Sequence, residues 1–351
     1  MPSRCRPASK KELYNHLYRR VPYREVARFF SKAGRTQVTH LQGGAYRLSK
    51  NQRAIECYEN NEYDAALALF RAALSESSDV QSLTNLAWMY YHEECEVEAA
   101  MELLQEALNL NPTSHFPYSL LGEILVREER WAEGEAVLLR SIAIETSKEA
   151  VNNLAVAKYH LGEWDQAAAL FLQSAEPSDY AMYSHIYCLI KLGRMNDARH
   201  KLHAFSEEDE DFAVEVHVAE LYVELQCFSE AVHWFKKSWS TYCKSPDWVC
   251  RYIYALVQMN ARQAAIEITE QCIQLKQDDI EEEQAELCDE EWTENDKAVY
   301  LKQLEMEKQE YMQILAKISE GYVPPLDFMT SVNSACYLFG CSRHGHSEYK
   351  D

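Results

Sequence analysis

Two thiols and two imidazoles fall within eleven residues in Cys336-Tyr-Leu-Phe-Gly-Cys341-Ser-Arg-His344-Gly-His346. Thiolate sulfur and imidazole nitrogen are the ligand set of a closed structural zinc site, and Gly340 and Gly345 allow the tight turns so short a loop needs. The expectation is that Cys336, Cys341, His344 and His346 hold one zinc ion that pins the segment and activates no water. Cys-x4-Cys-x2-His-x-His is not among the strong zinc spacings, so a docked segment and one without fixed structure stay open beside it. A Cys nucleophile with His344 as base lacks an orienting group and a visible oxyanion device. No phosphate loop, dinucleotide fingerprint, nucleophile elbow or metalloprotease helix occurs elsewhere. The chain therefore reads as non-enzymatic, with no cofactor expected beyond a structural zinc left open in the tail.

The elements that must position such a segment read as copies of one unit. Gln81 to Pro112 carries Leu83, Leu86, Ala87, Tyr90 and Tyr91 at helical spacing, then a polar turn at Glu93 to Glu96. Ala100, Leu103, Leu104, Ala107 and Leu108 follow as a second apolar stripe. This is a helical hairpin, in which Ala87, Ala100 and Ala107 let the two helices approach and Asn111-Pro112 ends the second. Tyr63, Ala66, Phe70, Ala73 and Leu74 lie 34 residues before Val97, Ala100, Leu104, Ala107 and Leu108. Later copies give Leu121, Gly122, Trp131, Leu138 and Ile142, then Leu154, Ala155, Gly162, Trp164, Ala167 and Phe171. A shorter unit has Leu189, Gly193, Met195, Ala198 and Leu202. Val218, Ala219, Tyr222, Phe228, Ala231 and Phe235 make the sixth, and Ile253, Leu256, Ala265 and Ile273 the seventh. A hairpin cannot bury both faces alone, so a period of 31 to 34 residues over 47–277 predicts a stack.

Tyr-His-Leu-Gly-Glu-Trp-Asp-Gln-Ala at 159–167 and Ala-Leu-Asn-Leu-Asn-Pro ending at Pro112 carry a resemblance to the tetratricopeptide repeat family, whose unit is a 34-residue helix-turn-helix. Gly134 departs from its usual Ala and Lys158 from its usual aromatic. The resemblance covers about two thirds of the chain and implies an all-α fold, a right-handed α-solenoid of about seven helical hairpins. It also implies a concave groove, lined by the first helix of each unit, that holds an extended peptide or a partner's helix. By register that groove presents Asn51, Asn85, Met89, Asn152, Tyr159, Tyr183, Tyr187, Arg251 and Tyr254. Asn amides match a guest's backbone as donor and acceptor, and Tyr supplies contact area at small entropic loss. Members that bind chaperones clamp a terminal carboxylate with Lys and Arg in this groove, and Arg251 alone is insufficient for that.

Charge is unevenly placed. Residues 1–53 carry a balance of +11, leaving −32 on the remainder of a chain whose net charge is −21. A basic helical arm over 1–46 is compatible with docking on the acidic body, mitochondrial targeting, an anionic membrane or nucleic acid, although the body repels nucleic acid. Asp278 to Glu291, with nine carboxylates in fourteen residues, reads as an acidic linker (278–291). Thr293 and Asp296 start a capping helix over 292–321 with Leu301, Leu304, Tyr311, Leu315 and Ile318 on one stripe, and 322–351 forms the Cys/His-containing tail. Eleven cysteines without a framework spacing fit reduced thiols in a cytoplasmic protein, and no apolar run is long enough to span a bilayer. The sequence thus predicts a scaffold or adaptor for a protein or peptide partner. The alternatives are a nucleic-acid-associated regulator using the basic arm and a metal-binding protein using the tail.

Overall fold

The structure, a computed structural model, describes residues 48–176, 180–204, 215–240, 244–288 and 292–350. The basic arm lies outside them, as does Glu207 to Asp211, five successive carboxylates that read as a loop between units. The described residues divide into two compact units, one of 48–176 with 330–350 and one of 180–329.

The first unit holds four antiparallel hairpins: α1 (Lys50–Glu59) with α2 (Tyr63–Glu76), α3 (Val80–Met89) with α4 (Val97–Asn109), α5 (Phe116–Arg127) with α6 (Trp131–Ile144), and α7 (Lys148–His160) with α8 (Trp164–Ser174). The second holds three, α9 (Tyr180–Lys191) with α10 (Met195–Leu202), α11 (Glu215–Glu224) with α12 (Phe228–Ser238), and α13 (Pro246–Gln258) with α14 (Arg262–Ala285), followed by α15 (Glu294–Ser319). No strand occurs among the described residues. The fold is an all-α solenoid of helical hairpins.

The repeat is visible as one recurring buried triplet in each second helix. Ala66, Phe70 and Ala73 recur as Ala100, Leu104 and Ala107, as Gly134, Leu138 and Ser141, and as Ala167, Phe171 and Ser174, all buried. In the second unit the same positions are Ala198 with Leu202, then Ala231, Phe235 and Ser238, then Ala265, Thr269 and Cys272. A small residue opens each triplet because the first helix of the hairpin crosses there. At Gly134 an added Cβ would lie 2.8 Å from Val126 Cγ2, which accounts for glycine in place of alanine. Lys158 replaces an aromatic by an ion-paired one, its ammonium lying 2.6 Å from Glu135 and 2.7 Å from Glu163.

Each of the seven hairpin turns contains one left-handed residue: Asn61, Cys95, Glu129, Gly162, Gly193, Gln226 and Asn260. The next amide reaches five residues back to close the helix end, as in Arg130 N to Leu125 O (2.8 Å) and Glu163 N to Lys158 O (3.0 Å). The second hairpin carries one residue more. Its first helix ends in a π-helical segment, Tyr90–Glu94, and Glu96 N bonds Tyr90 O at 2.9 Å. Helix starts follow from side-chain caps, Ser49 with Gln52 on α1, Asp79 on α3, Ser147 on α7 and Ser245 before Pro246 on α13.

Residues 278–285, expected as part of an acidic linker, are instead the last two turns of α14. Contact with α15 and with Trp292 just before it keeps them helical: Lys297 of α15 donates to Gln284 O at 3.0 Å, and the buried Glu283 accepts from Trp292 Nε1 at 2.9 Å. Thr293 and Asp296 form the expected capping box of α15. Its buried stripe is Leu304, Tyr311, Ile314 and Ile318, with Ile314 taking the place expected of Leu315. Among the described residues no helix is long and apolar enough to cross a membrane.

Candidate functional site

In each unit the first helices form a face covered by a part of the chain's own C-terminal segment. In the second unit, residues 324–329 run extended, with alternate residues turned towards the helices: Pro324 is buried, Leu326 and Phe328 half-buried, and Pro325, Asp327 and Met329 exposed. Phe328 stacks on Tyr187 with ring centroids 4.0 Å apart and lies 5.3 Å from Tyr183. Tyr180 Oη donates to Met329 O at 3.1 Å. The Arg251 side chain, 1% exposed, donates to Pro324 O (2.9 Å), Glu220 O (2.8 Å) and Glu224 Oε1 (2.7 Å). With its fork turned to two backbone carbonyls and to the Glu224 carboxylate, Arg251 is already engaged and anchors the Pro324 carbonyl.

In the first unit, asparagines grip residues 330–350 by the backbone. Asn85 donates Nδ2 to Phe339 O at 3.1 Å and accepts from Phe339 N at 2.8 Å. Asn153 repeats the pattern on Asn333, donating to its O and accepting from its N, both at 2.8 Å, and Asn152 donates to Ser331 O at 2.7 Å. Amides on a rigid helix thus stand in for the neighbouring strand that an extended segment lacks. Around them His160 meets Thr330, Arg127 donates to Val332 O and Ser334 Oγ, and Trp88 Nε1 donates to Ala335 O. Further on, Gln81 accepts from Tyr349 N at 3.0 Å. Tyr337, Leu338 and Cys341 join the core of this unit beside Ala54, Ile55, Leu86 and Leu120. Leu338 is 0% exposed.

Glu123 on α5 lies under this segment, accepting from Ser334 Oγ and from Arg127 Nε at 3.3 Å. Burial pushes its carboxyl up to about 7, against the opposing pull of Arg127 and of the Ser334 hydroxyl.

Of the residues expected in the groove, Asn85, Asn152, Tyr183, Tyr187 and Arg251 touch the segment. Met89 is a correction: at 0% exposure it belongs to the core of the first unit, because α3 is buried on every side. Asn51 is a second, since its buried amide donates to Ser82 Oγ at 3.0 Å. Half-buried Tyr159 packs edge-on against His160, and Tyr254 against Phe228. Sequence reasoning missed Asn153, Glu123, Arg127 and Trp88. It also missed that the guest is the chain itself. One signal was present: Tyr322 to Ser342 contains one charged residue, Asp327, in a chain that is 26% charged.

The Cys/His cluster sits on the same segment. Cys336, Cys341 and His344 place their ligand atoms within 4.8 Å of one another, with Cys341 Sγ 3.2 Å from His344 Nδ1. His346 stands apart, its Nδ1 against Leu338 O at 3.1 Å and its ring 4.7 Å from Phe116. The Cys336 thiol donates to Cys341, which lowers Cys341, helped by His344, and raises Cys336.

The tetratricopeptide repeat family model matches residues 51–115. No curated protein matches the sequence significantly. Similar solved structures include MamA, 20% identical over 43% of this chain and 91% of its own, with a TM-score of 0.40. PilF of Pseudomonas aeruginosa is 19% identical over 58% of this chain and 93% of its own, TM-score 0.47. YrrB, described as a repeat protein of this kind with an unusual peptide-binding site, is 17% identical over 57% and 97%, TM-score 0.42.

Proposed function

We propose that this chain, a member of the tetratricopeptide-repeat superfamily, is a non-enzymatic protein-binding scaffold whose inner helices hold an extended peptide by its backbone. The observation that supports the reading is the pair of two-way asparagine contacts, Asn85 on Phe339 and Asn153 on Asn333. Backbone recognition of this kind is indifferent to most guest side chains, so selectivity falls to the pockets around Phe116, which meets Phe339 at 4.8 Å, and around Tyr187. The chain's own segment is the first occupant. A partner segment that is extended, nearly uncharged and carries spaced aromatic residues matches the same face.

The test severs the occupant in the folded protein. A protease site is inserted between the exposed Gly321 and Tyr322, the full chain is cleaved, and a fluorescent peptide of residues 322–351 is added in excess. Uptake of the labelled peptide by a body that keeps its helicity is the expected result. A severed segment that departs while the folded body takes up no peptide overturns the reading.

A further inference from the structure

We propose that Cys336, Cys341 and His344, completed by the carboxylate of Glu59, form a zinc site that fastens the C-terminal segment to the end of α1. A tetrahedral zinc with ligands at about 2.0–2.3 Å sets ligand atoms about 3.3–3.8 Å apart. Here Cys341 Sγ lies 3.2 Å from His344 Nδ1 and 3.6 Å from Glu59 Oε1, and the two thiols and the imidazole fall within 4.8 Å of one another. Drawing the two thiols and the imidazole from within 4.8 Å to that spacing, and turning Glu59 in from beside Cys341, converts the hydrogen-bonded cluster into a coordination shell. Two sulfurs, one imidazole and one carboxylate favour zinc over magnesium or calcium, which take oxygen ligands.

The backbone is shaped for such a shell. Gly340 has a left-handed φ of +85°, and a Cβ there would press Ile55 at 3.3 Å, so the turn between the two cysteines requires glycine. The 3-10 turn Ser342–His344 then brings His344 back onto Cys341, and Gly345 closes it. Glu59 is held from outside: Ser342 Oγ donates to it at 3.0 Å and Arg343 N at 3.2 Å, which orients the carboxylate as an outer shell does at metal centres. A cavity of about 800 Å³ lined by Tyr58, Trp88 and His92 reaches the cluster and gives an ion its path. Binding displaces the two thiol protons to solvent, so affinity falls as pH falls. The site does not depend on whether the inner face also accepts a partner.

Full-length chain without an affinity tag is reduced, given one equivalent of zinc and desalted, and its metal content is measured. The expected result is close to one equivalent, retained equally by His346→Ala and lost by Cys336→Ser, Cys341→Ser and His344→Ala, with at least tenfold weaker binding in a chelator competition. Glu59→Gln, which keeps the side chain's shape and removes the anionic ligand, is expected to weaken binding by at least about tenfold in the same competition, and unchanged binding would remove Glu59 from the shell and overturn the four-ligand proposal. Cobalt added to the unmodified chain needs no variant and is expected to give a tetrahedral spectrum with sulfur-to-metal charge transfer. Less than about a tenth of an equivalent in the unmodified chain overturns the proposal. So does retention by all three ligand variants, or loss in His346→Ala equal to theirs.

Discussion

Asn85→Ala is the sharpest probe of how the C-terminal segment is held, because it removes two hydrogen bonds and leaves the helix backbone of α3 intact. Both partners it abandons belong to Phe339, which is buried, so its N–H and C=O lose a partner where water has poor access. Each orphaned group costs about 1–3 kcal/mol, which makes the substitution worth roughly 2–6 kcal/mol of docking. Asn153→Ala abandons the same two groups on Asn333, an exposed residue that water can re-satisfy, and is expected to cost only about 1 kcal/mol. The reporters are amides bonded within the segment itself, Gly340 N to Ser347 O and His346 N to Cys341 O, both remote from the substituted side chains in covalent terms. In hydrogen exchange their protection measures release of the whole segment. Protection is expected to fall at least 30-fold in Asn85→Ala and about fivefold in Asn153→Ala, since about 1.4 kcal/mol is tenfold. Unchanged protection in Asn85→Ala, or a larger loss in Asn153→Ala, refutes the reasoning.

Two further outcomes follow from the packing of α5. The Glu123 carboxyl, carried from 4.5 to about 7, is preferred protonated in the fold, so its stabilisation is full below the lower value and is lost as pH rises through the upper one. Unfolding measured from pH 5 to pH 8 is expected to show unmodified chain losing about 2.5 kcal/mol relative to Glu123→Gln, and parallel profiles would refute the assignment. Gly122→Ala would set a Cβ 2.5 Å from the fully buried Leu138 side chain, while Gly134→Ala meets only Val126 Cγ2 at 2.8 Å. Thermal melts are expected to show Gly122→Ala destabilised by about 1–3 kcal/mol and Gly134→Ala by less, because the gain in helix propensity offsets part of each clash.

The repeat was legible because its determinants are local. Ala100, Leu104 and Ala107 repeat Ala66, Phe70 and Ala73 at a fixed interval, and the same triplet is buried in hairpin after hairpin. Turn positions were less legible, since Glu129 and Gln226 adopt the left-handed conformation that Gly162 and Gly193 announce by type. On the inner face, register leads to Asn85 and Asn152, which contact the segment, and also to Met89, one turn beyond Asn85, which is buried in the core. Period separates a buried stripe from an exposed one only where a helix has an exposed side, and all ten residues of α3 are buried. The occupant lay beyond such reasoning altogether. Asn85 and Phe339 are 254 residues apart, and no periodicity within either stretch encodes their pairing. Helix 278–285 was missed for the opposite reason: charge density argued for a solvated linker, and packing against α15 outweighed it.

Self-occupancy changes what a partner must do. A tethered segment competes at an effective concentration of about 1 mM, so if the severed segment binds with a Kd of about 1 μM, the intact chain is closed about a thousand to one. A peptide of equal intrinsic affinity then binds the intact chain with an apparent Kd of about 1 mM. Micromolar binding to the full chain therefore requires a different surface or a release of the segment. The cluster at residues 336–344 sits where release would be opposed, because Cys341 is part of the buried core and Glu59 ties it to α1. Residues 324–329 are the more readily displaced portion. In their unit Arg251 on Pro324 and Tyr180 on Met329 anchor the backbone, single contacts where Asn85 and Asn153 make two-way ones. Competition by a partner at that portion alone would leave Gly340 and His346 protected from exchange while the Met329 carbonyl loses Tyr180. Loss of protection at Gly340 and His346 as well would mean that the segment leaves as one piece.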